Sequence, residues 1–181
     1  MKSSAYFDVT RGFAIDGNYA YVGAAGTDSL TTVDISKCIS DLDNTAYYSG
    51  GTTSGSATYL YYGSCVTYVG STGTLSVMDG IGGVQKQGDY IYTSKPHGTF
   101  TLSVVDVSTP ASPTVVATVT DSSSSAVYYF VISGNHAFAA SHDSHALIAV
   151  DISTPTAPTI AGRLVDTTKL SKAFNVAVSG N

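Results

Sequence analysis

Short runs rich in Val, Ile, Tyr, Phe and Ala recur along the chain, each closed by Gly, Asn, Asp, Ser or Pro. Such runs are of strand length, and their β-branched and aromatic content suits a half-buried pleated surface. No stretch carries the three-to-four-residue apolar spacing and end caps of an amphipathic helix. The pattern therefore predicts an all-β chain. In the last full unit it predicts strands at His136 to Ser141, Leu147 to Ile152, Pro158 to Val165 and Phe174 to Ser179.

The runs repeat. Gly12 to Asp34, Tyr59 to Asp79, Gly83 to Asp106 and Phe130 to Asp151 align, and a further copy starts at Phe174. Their turn glycines, Gly17, Gly63, Gly88, Gly134 and Gly180, are spaced 46, 25, 46 and 46. The aspartates that close the next strand, Asp34, Asp79, Asp106 and Asp151, are spaced 45, 27 and 45. Two independent markers thus keep one period, and one unit is short. Gly17-Asn18, Gly88-Asp89 and Gly134-Asn135 are tight-turn dipeptides, because Gly and Asn tolerate positive φ. Pro110 and Pro155 end strands, since proline cannot donate to a ladder.

Four strands repeating in the forties fit a β-propeller blade, a sheet that buries its faces only against neighbours around an axis. The units are approximately 12–57, 58–82, 83–127 and 128–173, with the next starting at 174–181. The short second unit keeps strands at Val66 to Ser71 and Leu75 to Asp79 and reads as a blade that lost its third strand. The expected architecture is a β-propeller of four-stranded blades of about 46 residues, an incomplete ring of about three and a half units. A longer polypeptide or another chain would complete it.

The pattern G-N-Y-A-Y-V…L-x-x-V-D-I-S-x-P-x-x-P resembles the LVIVD repeat family. It runs through Gly17 to Ser36, Gly88 to Pro113 and Gly134 to Pro158, and VDVSTPASPT and VDISTPTAPT are its most specific parts. Lys37 and Cys38 depart from it in the first unit. The resemblance implies a propeller fold at the cell surface or in a secreted protein, and it brings no catalytic residues.

Composition narrows the function classes. Only 12% of residues are charged and the net charge is −5, which opposes a broad surface for nucleic acid or anionic membrane. No apolar run is long enough to span a bilayer as a helix. Cys38 and Cys65 are the two cysteines. A disulfide between them would close a loop of about 27 residues, worth roughly 3 kcal/mol. Two buried thiols are the alternative.

Candidate chemistry is sparse. His142, Asp143 and His145 are potential Zn ligands in a hairpin loop. His97 and Asp28 occupy the matching loops of other units, so the loops could converge on one face. A solvated polar turn is the plainer account. Asp34, Asp79, Asp106 and Asp151 could ring an axial channel and hold Ca²⁺. The alternative is a turn in which each carboxylate accepts nearby backbone N–H groups. The expected function is a non-enzymatic extracellular or cell-surface module with a structural, adhesive or protein-interaction role. Its partners would be protein or glycan, self-assembly included. A metal-dependent, lactonase-like propeller hydrolase with a site in the central channel is the second reading.

Overall fold

The computed structural model describes residues 10–37, 51–54, 57–60 and 66–179. They form three four-stranded antiparallel sheets and one two-stranded hairpin. Sheet 1 has β1 (Thr10–Asp16), β2 (Tyr19–Ala24), β3 (Ser29–Asp34) and β6 (Thr67–Ser71), in that order. Its hairpin insert is β4 (Gly51–Ser54) and β5 (Ala57–Leu60). Sheet 2 runs β7 (Val84–Gln87), β8 (Tyr90–Ser94), β9 (Thr99–Asp106) and β10 (Thr114–Ser125). Sheet 3 runs β11 (Phe130–Ser133), β12 (His136–Ser141), β13 (Ala146–Asp151) and β14 (Thr159–Val165). Among the described residues, no helix is long and apolar enough to cross a membrane.

The sheets stack as blades do. β7 lies beside both β1 and β11, so the first strands of the three sheets neighbour one another at a common inner margin. Sheet 2 is covered on both faces. Ile91, Val105 and Val107 pack with Tyr21 and Leu30 of sheet 1, joined by Met78 and Ile81 of the connector. Tyr92, Phe100, Leu102 and Val104 pack with Phe130, Ala137, Ile148 and Val150 of sheet 3. Successive strand residues point to opposite faces, so β9 sends Leu102 and Val104 one way and Val105 the other. Burial raises the phenol pKa of Tyr21 and of Tyr92, which hold the same place in successive units.

Glycines let the inner margin close. A Cβ on Gly82 would stand 2.5 Å from the Tyr128 carbonyl oxygen, and one on Gly12 would stand 2.8 Å from that of Gly82. Polar contacts pin the sheets at their edges. Lys86 pairs with Asp16 at 2.7 Å, and the Gln87 amide donates to the Gly134 carbonyl at 3.0 Å. At the outer side, Arg163 donates to the Ser123 carbonyl at 2.9 Å.

Two strand assignments change. Residues 58–82 are not a shortened blade. β6 pairs with β3 and completes sheet 1, while Leu75 to Asp79 turns as a 3₁₀ segment at Ser76–Met78. That turn is held from outside: the Asp28 carbonyl accepts the Leu75 N–H at 3.0 Å, and Asp28 Oδ1 accepts the Gly80 N–H at 2.8 Å. A connector bound to a hairpin loop cannot also donate to a ladder. Phe174 to Ser179 forms no strand either, and runs as unpaired chain. The proposed Cys38–Cys65 disulfide lies outside the described residues.

Candidate aromatic and histidine site on the hairpin-loop face

The loops between the second and third strands of each sheet share one face, together with the connectors that lead to the next sheet. Asp28 and His145 occupy the same place in their loops, both in the left-handed region, at φ 50° and 49°. They do the same work. His145 Nδ1 accepts the Lys172 N–H at 3.1 Å, as Asp28 Oδ1 accepts that of Gly80. The His145 carbonyl accepts the Asp166 N–H at 3.0 Å, as that of Asp28 accepts the Leu75 N–H. Each side chain is thus a clasp that fixes a connector on its own sheet. Nδ1 as acceptor leaves the His145 proton on Nε2.

The other two predicted metal ligands meet each other. His142 Nδ1 donates to Asp143 Oδ1 at 2.6 Å, and Lys172 Nζ lies 3.6 Å from the same oxygen. These two neighbours, the histidine bond first, hold the Asp143 carboxyl below its usual pKa. Among the described residues, no group of three or more His, Cys, Asp or Glu side chains is gathered as a metal ion requires. The neighbouring Ser141 hydroxyl is buried and donates to the Ser125 carbonyl at 2.6 Å.

His97 and His142 each meet the ring of Tyr128. Tyr128 stands edge-on to both, at 6.1 Å from His97 and 6.5 Å from His142. Phe174 stacks on Tyr128 at 4.7 Å and meets Tyr129 at 5.6 Å. These are favourable aromatic geometries. The rings of Tyr128, Tyr129 and Phe174 were not singled out by motif. Their signal was the repeat itself, because Tyr128 and Phe174 are 46 residues apart.

Beside this cluster a cleft of about 230 Å³ opens between the first strands, lined by Gly12, Phe13, Val84, Gln85, Tyr129 and Phe130. Phe13 is 68% exposed and Tyr129 40%. Such a lining offers ring faces, one amide and one phenol, which suits stacking and hydrogen bonding.

The aspartates that could ring a channel are turn residues at the opposite end of the strands. Asp34, Asp106 and Asp151 accept the N–H of Ser36, Ser108 and Ser153 at 2.7, 2.8 and 2.8 Å. All three carboxyls are held below the ordinary value of 3.8, Asp34 and Asp106 first by the serine hydroxyl and then by its backbone N–H, Asp151 first by the Ser153 N–H and then by its hydroxyl. Asp79 is not one of the set. It follows the 3₁₀ turn and lies 3.4 Å from Lys95 Nζ.

The sequence profile of the LVIVD repeat matches residues 9–41, 83–121 and 129–167, more than half of the chain. No curated protein matches it in sequence. Among solved structures it is similar to a protein from Bacteroides fragilis NCTC 9343, described provisionally as a 6-phosphogluconolactonase. Identity is 15% and the TM-score 0.58, over 85% of this chain and 38% of the other. The chain therefore spans well under half of that protein. It is also similar to the computationally designed Ika4 protein, at 12% identity and a TM-score of 0.60, over 96% of this chain and 82% of Ika4. At these identities the likeness is one of propeller-like fold.

Proposed function

Because this chain belongs to the LVIVD repeat family, we propose that it is a non-enzymatic, secreted or cell-surface module that binds protein or glycan within a larger assembly. One observation carries this reading. The chemistry-bearing side chains are engaged in the fold, while large apolar ones face solvent. His145 and Asp28 clasp connectors, and Asp34, Asp106 and Asp151 cap turns. Phe13, Ile15, Phe174 and Leu164 are exposed by 68%, 58%, 49% and 60%. Phe13 and Ile15 lie on one face of β1, and exposed apolar groups gathered in this way mark surfaces that other molecules cover.

The second reading, a metal-dependent hydrolase, would place an ion in the cleft between the first strands. A Zn or Ca ion there needs several imidazoles or carboxylates. The lining described above supplies neither, so binding is the better supported role. Metal analysis of the purified protein, paired with pull-down of purified surface protein and glycan panels, tests the choice. Saturable binding by metal-free protein is the expected result. A stoichiometric tightly held metal with turnover of a lactone or ester would overturn it.

A further inference from the structure

The two junctions between sheets differ in charge at matching places. Between sheets 1 and 2, Lys86 pairs with Asp16 at 2.7 Å. Burial there, then Asp16, Tyr19 and Asp89, raise the Tyr21 phenol pKa. Between sheets 2 and 3 the repeat places Ile132 at the position of Lys86, Gln87 at that of Asp16 and Asn135 at that of Asp89. The ion pair has no counterpart, and two amides stand where carboxylates stood.

A cleft of about 350 Å³ opens at this second junction, at the end of the strands opposite the hairpin-loop face. Small-ligand sites measure roughly 300–1,000 Å³. Tyr90 and Tyr92 line it from β8, and their spacing turns both toward sheet 3. Tyr92 is only 1% exposed, yet its hydroxyl makes no hydrogen bond among the described residues. That oxygen is not sealed in, as the Thr31 and Thr32 hydroxyls are, so what exposure it keeps is toward the cleft. A buried hydroxyl ordinarily has a partner. Here only a molecule in the cleft can supply one.

The other polar groups of the lining are available too. Gln87 donates through Nε2 to the Gly134 carbonyl and keeps Oε1 without a partner among the described residues. The Asn135 side-chain amide is likewise unbonded there. Asp89, exposed, is the one charged residue of the lining, so no cation waits for an anionic ligand.

We propose that the cleft between sheets 2 and 3 binds a neutral sugar, with Tyr92, Gln87 and Asn135 hydrogen-bonded to its hydroxyls and Tyr90 and Pro155 against its C–H surface. The inference rests on the reading of the chain as a binding module and names the site and the ligand class. Sugar hydroxyls both donate and accept, and so do a phenol and two amides. A peptide strand would instead need free main-chain groups to pair with. The Gly134 and Asn135 carbonyls already accept the Gln87 amide and the Ile152 N–H, and the Asp89 carbonyl accepts the Val107 N–H at 2.9 Å.

The experiment is isothermal titration with saturation-transfer NMR on the full chain. The probes are the methyl glycosides of galactose, glucose, mannose, fucose and N-acetylglucosamine, with N-acetylneuraminate as the anionic counterpart. Tyr92→Phe keeps the packed ring and removes only the oxygen, so its thermal melt by circular dichroism should match or exceed that of the wild type. Saturable binding of at least one neutral glycoside is expected. Tyr92→Phe should weaken it by about tenfold, the worth of one good hydrogen bond, and Asn135→Ala by about threefold or more. Failure of every neutral glycoside to bind overturns the inference, as does binding of N-acetylneuraminate alone. Sugar binding that both variants retain in full removes this site and leaves the binding role standing. So does saturable binding of purified surface protein by a chain that takes no sugar.

Discussion

Replacing Gly82 with alanine tests whether the sheets really meet backbone to backbone at the inner margin. The added Cβ would sit 2.5 Å from the Tyr128 carbonyl oxygen, 3.2 Å from its carbon and 3.1 Å from Ser94 Oγ. The first contact lies about 1 Å inside the ~3.5 Å optimum for non-bonded atoms. Ser94 Oγ could rotate, but it already accepts the Gly83 N–H at 2.9 Å. Tyr128 cannot yield without moving the segment that leads into sheet 3. Overpacking of this kind costs about 3 kcal/mol. The control is Gly162→Ala in β14, where a Cβ meets nothing within 4 Å. Both substitutions reduce the freedom of the unfolded chain equally, a gain of about 0.5 kcal/mol. The difference between them isolates the clash, about 3 kcal/mol, which is roughly 6–12 °C in Tm for a domain of this size. Urea unfolding with a common m value would measure it. If Gly82→Ala proved as stable as Gly162→Ala, the inner strands do not converge and the stacking argument fails.

Three further outcomes follow from the same geometry. Thr32 is fully buried, its hydroxyl has no hydrogen-bond partner among the described residues, and its counterpart in sheet 2 is Val104. Thr32→Val should therefore raise stability by about 1 kcal/mol, read as a higher urea midpoint. Asp106 and Asp151 have folded pKa values below the ordinary 3.8, so their turn bonds contribute stability above that value and lose it as pH falls through the lowered ones. Tm should drop on acidification below about pH 4, and the double variant Asp106→Asn, Asp151→Asn should show a shallower drop, because asparagine keeps the acceptor without titrating. His145→Ala removes the acceptor of the Lys172 N–H, and hydrogen exchange of residues 170–179 should speed up while that of β8 and β9 is unchanged.

What could be read from the residues was what repeats locally. Tyr21 and Tyr92, the Gly-Asn turns and the Asp-x-Ser turn caps recur because every blade needs the same pleat, hairpin and strand end. Which strand pairs with which is not local. Tyr68-Val69-Gly70 in β6 has the same letters as Tyr21-Val22-Gly23 in β2, and only the ladder with β3 makes it the last strand of sheet 1. Asp79 carries the letter of the strand-closing aspartates, yet its place after the 3₁₀ turn is set by Asp28, far away in sequence. A period interrupted by an insert therefore looks like a shortened copy, because a strand-sized segment carries no mark of its partner.

The same limit explains the loop chemistry. Counting His142, Asp143 and His145 gives three donors, but a donor is available to a metal only if its lone pair is not already taken. His145 sits at positive φ, which turns its ring back onto the connector and commits Nδ1 to the Lys172 N–H. Asp28 shows the same commitment at the same place with a different side chain. Two unlike residues at one repeat position that share an acceptor atom and a backbone conformation point to a role in joining one blade to the next. Had either been kept for a bound ion, the repeat would have had to supply that connector bond from another residue. Asp28 and His145 thus serve the connectors that lead from one sheet to the next, which is why neither reads as a metal ligand once its partner is known.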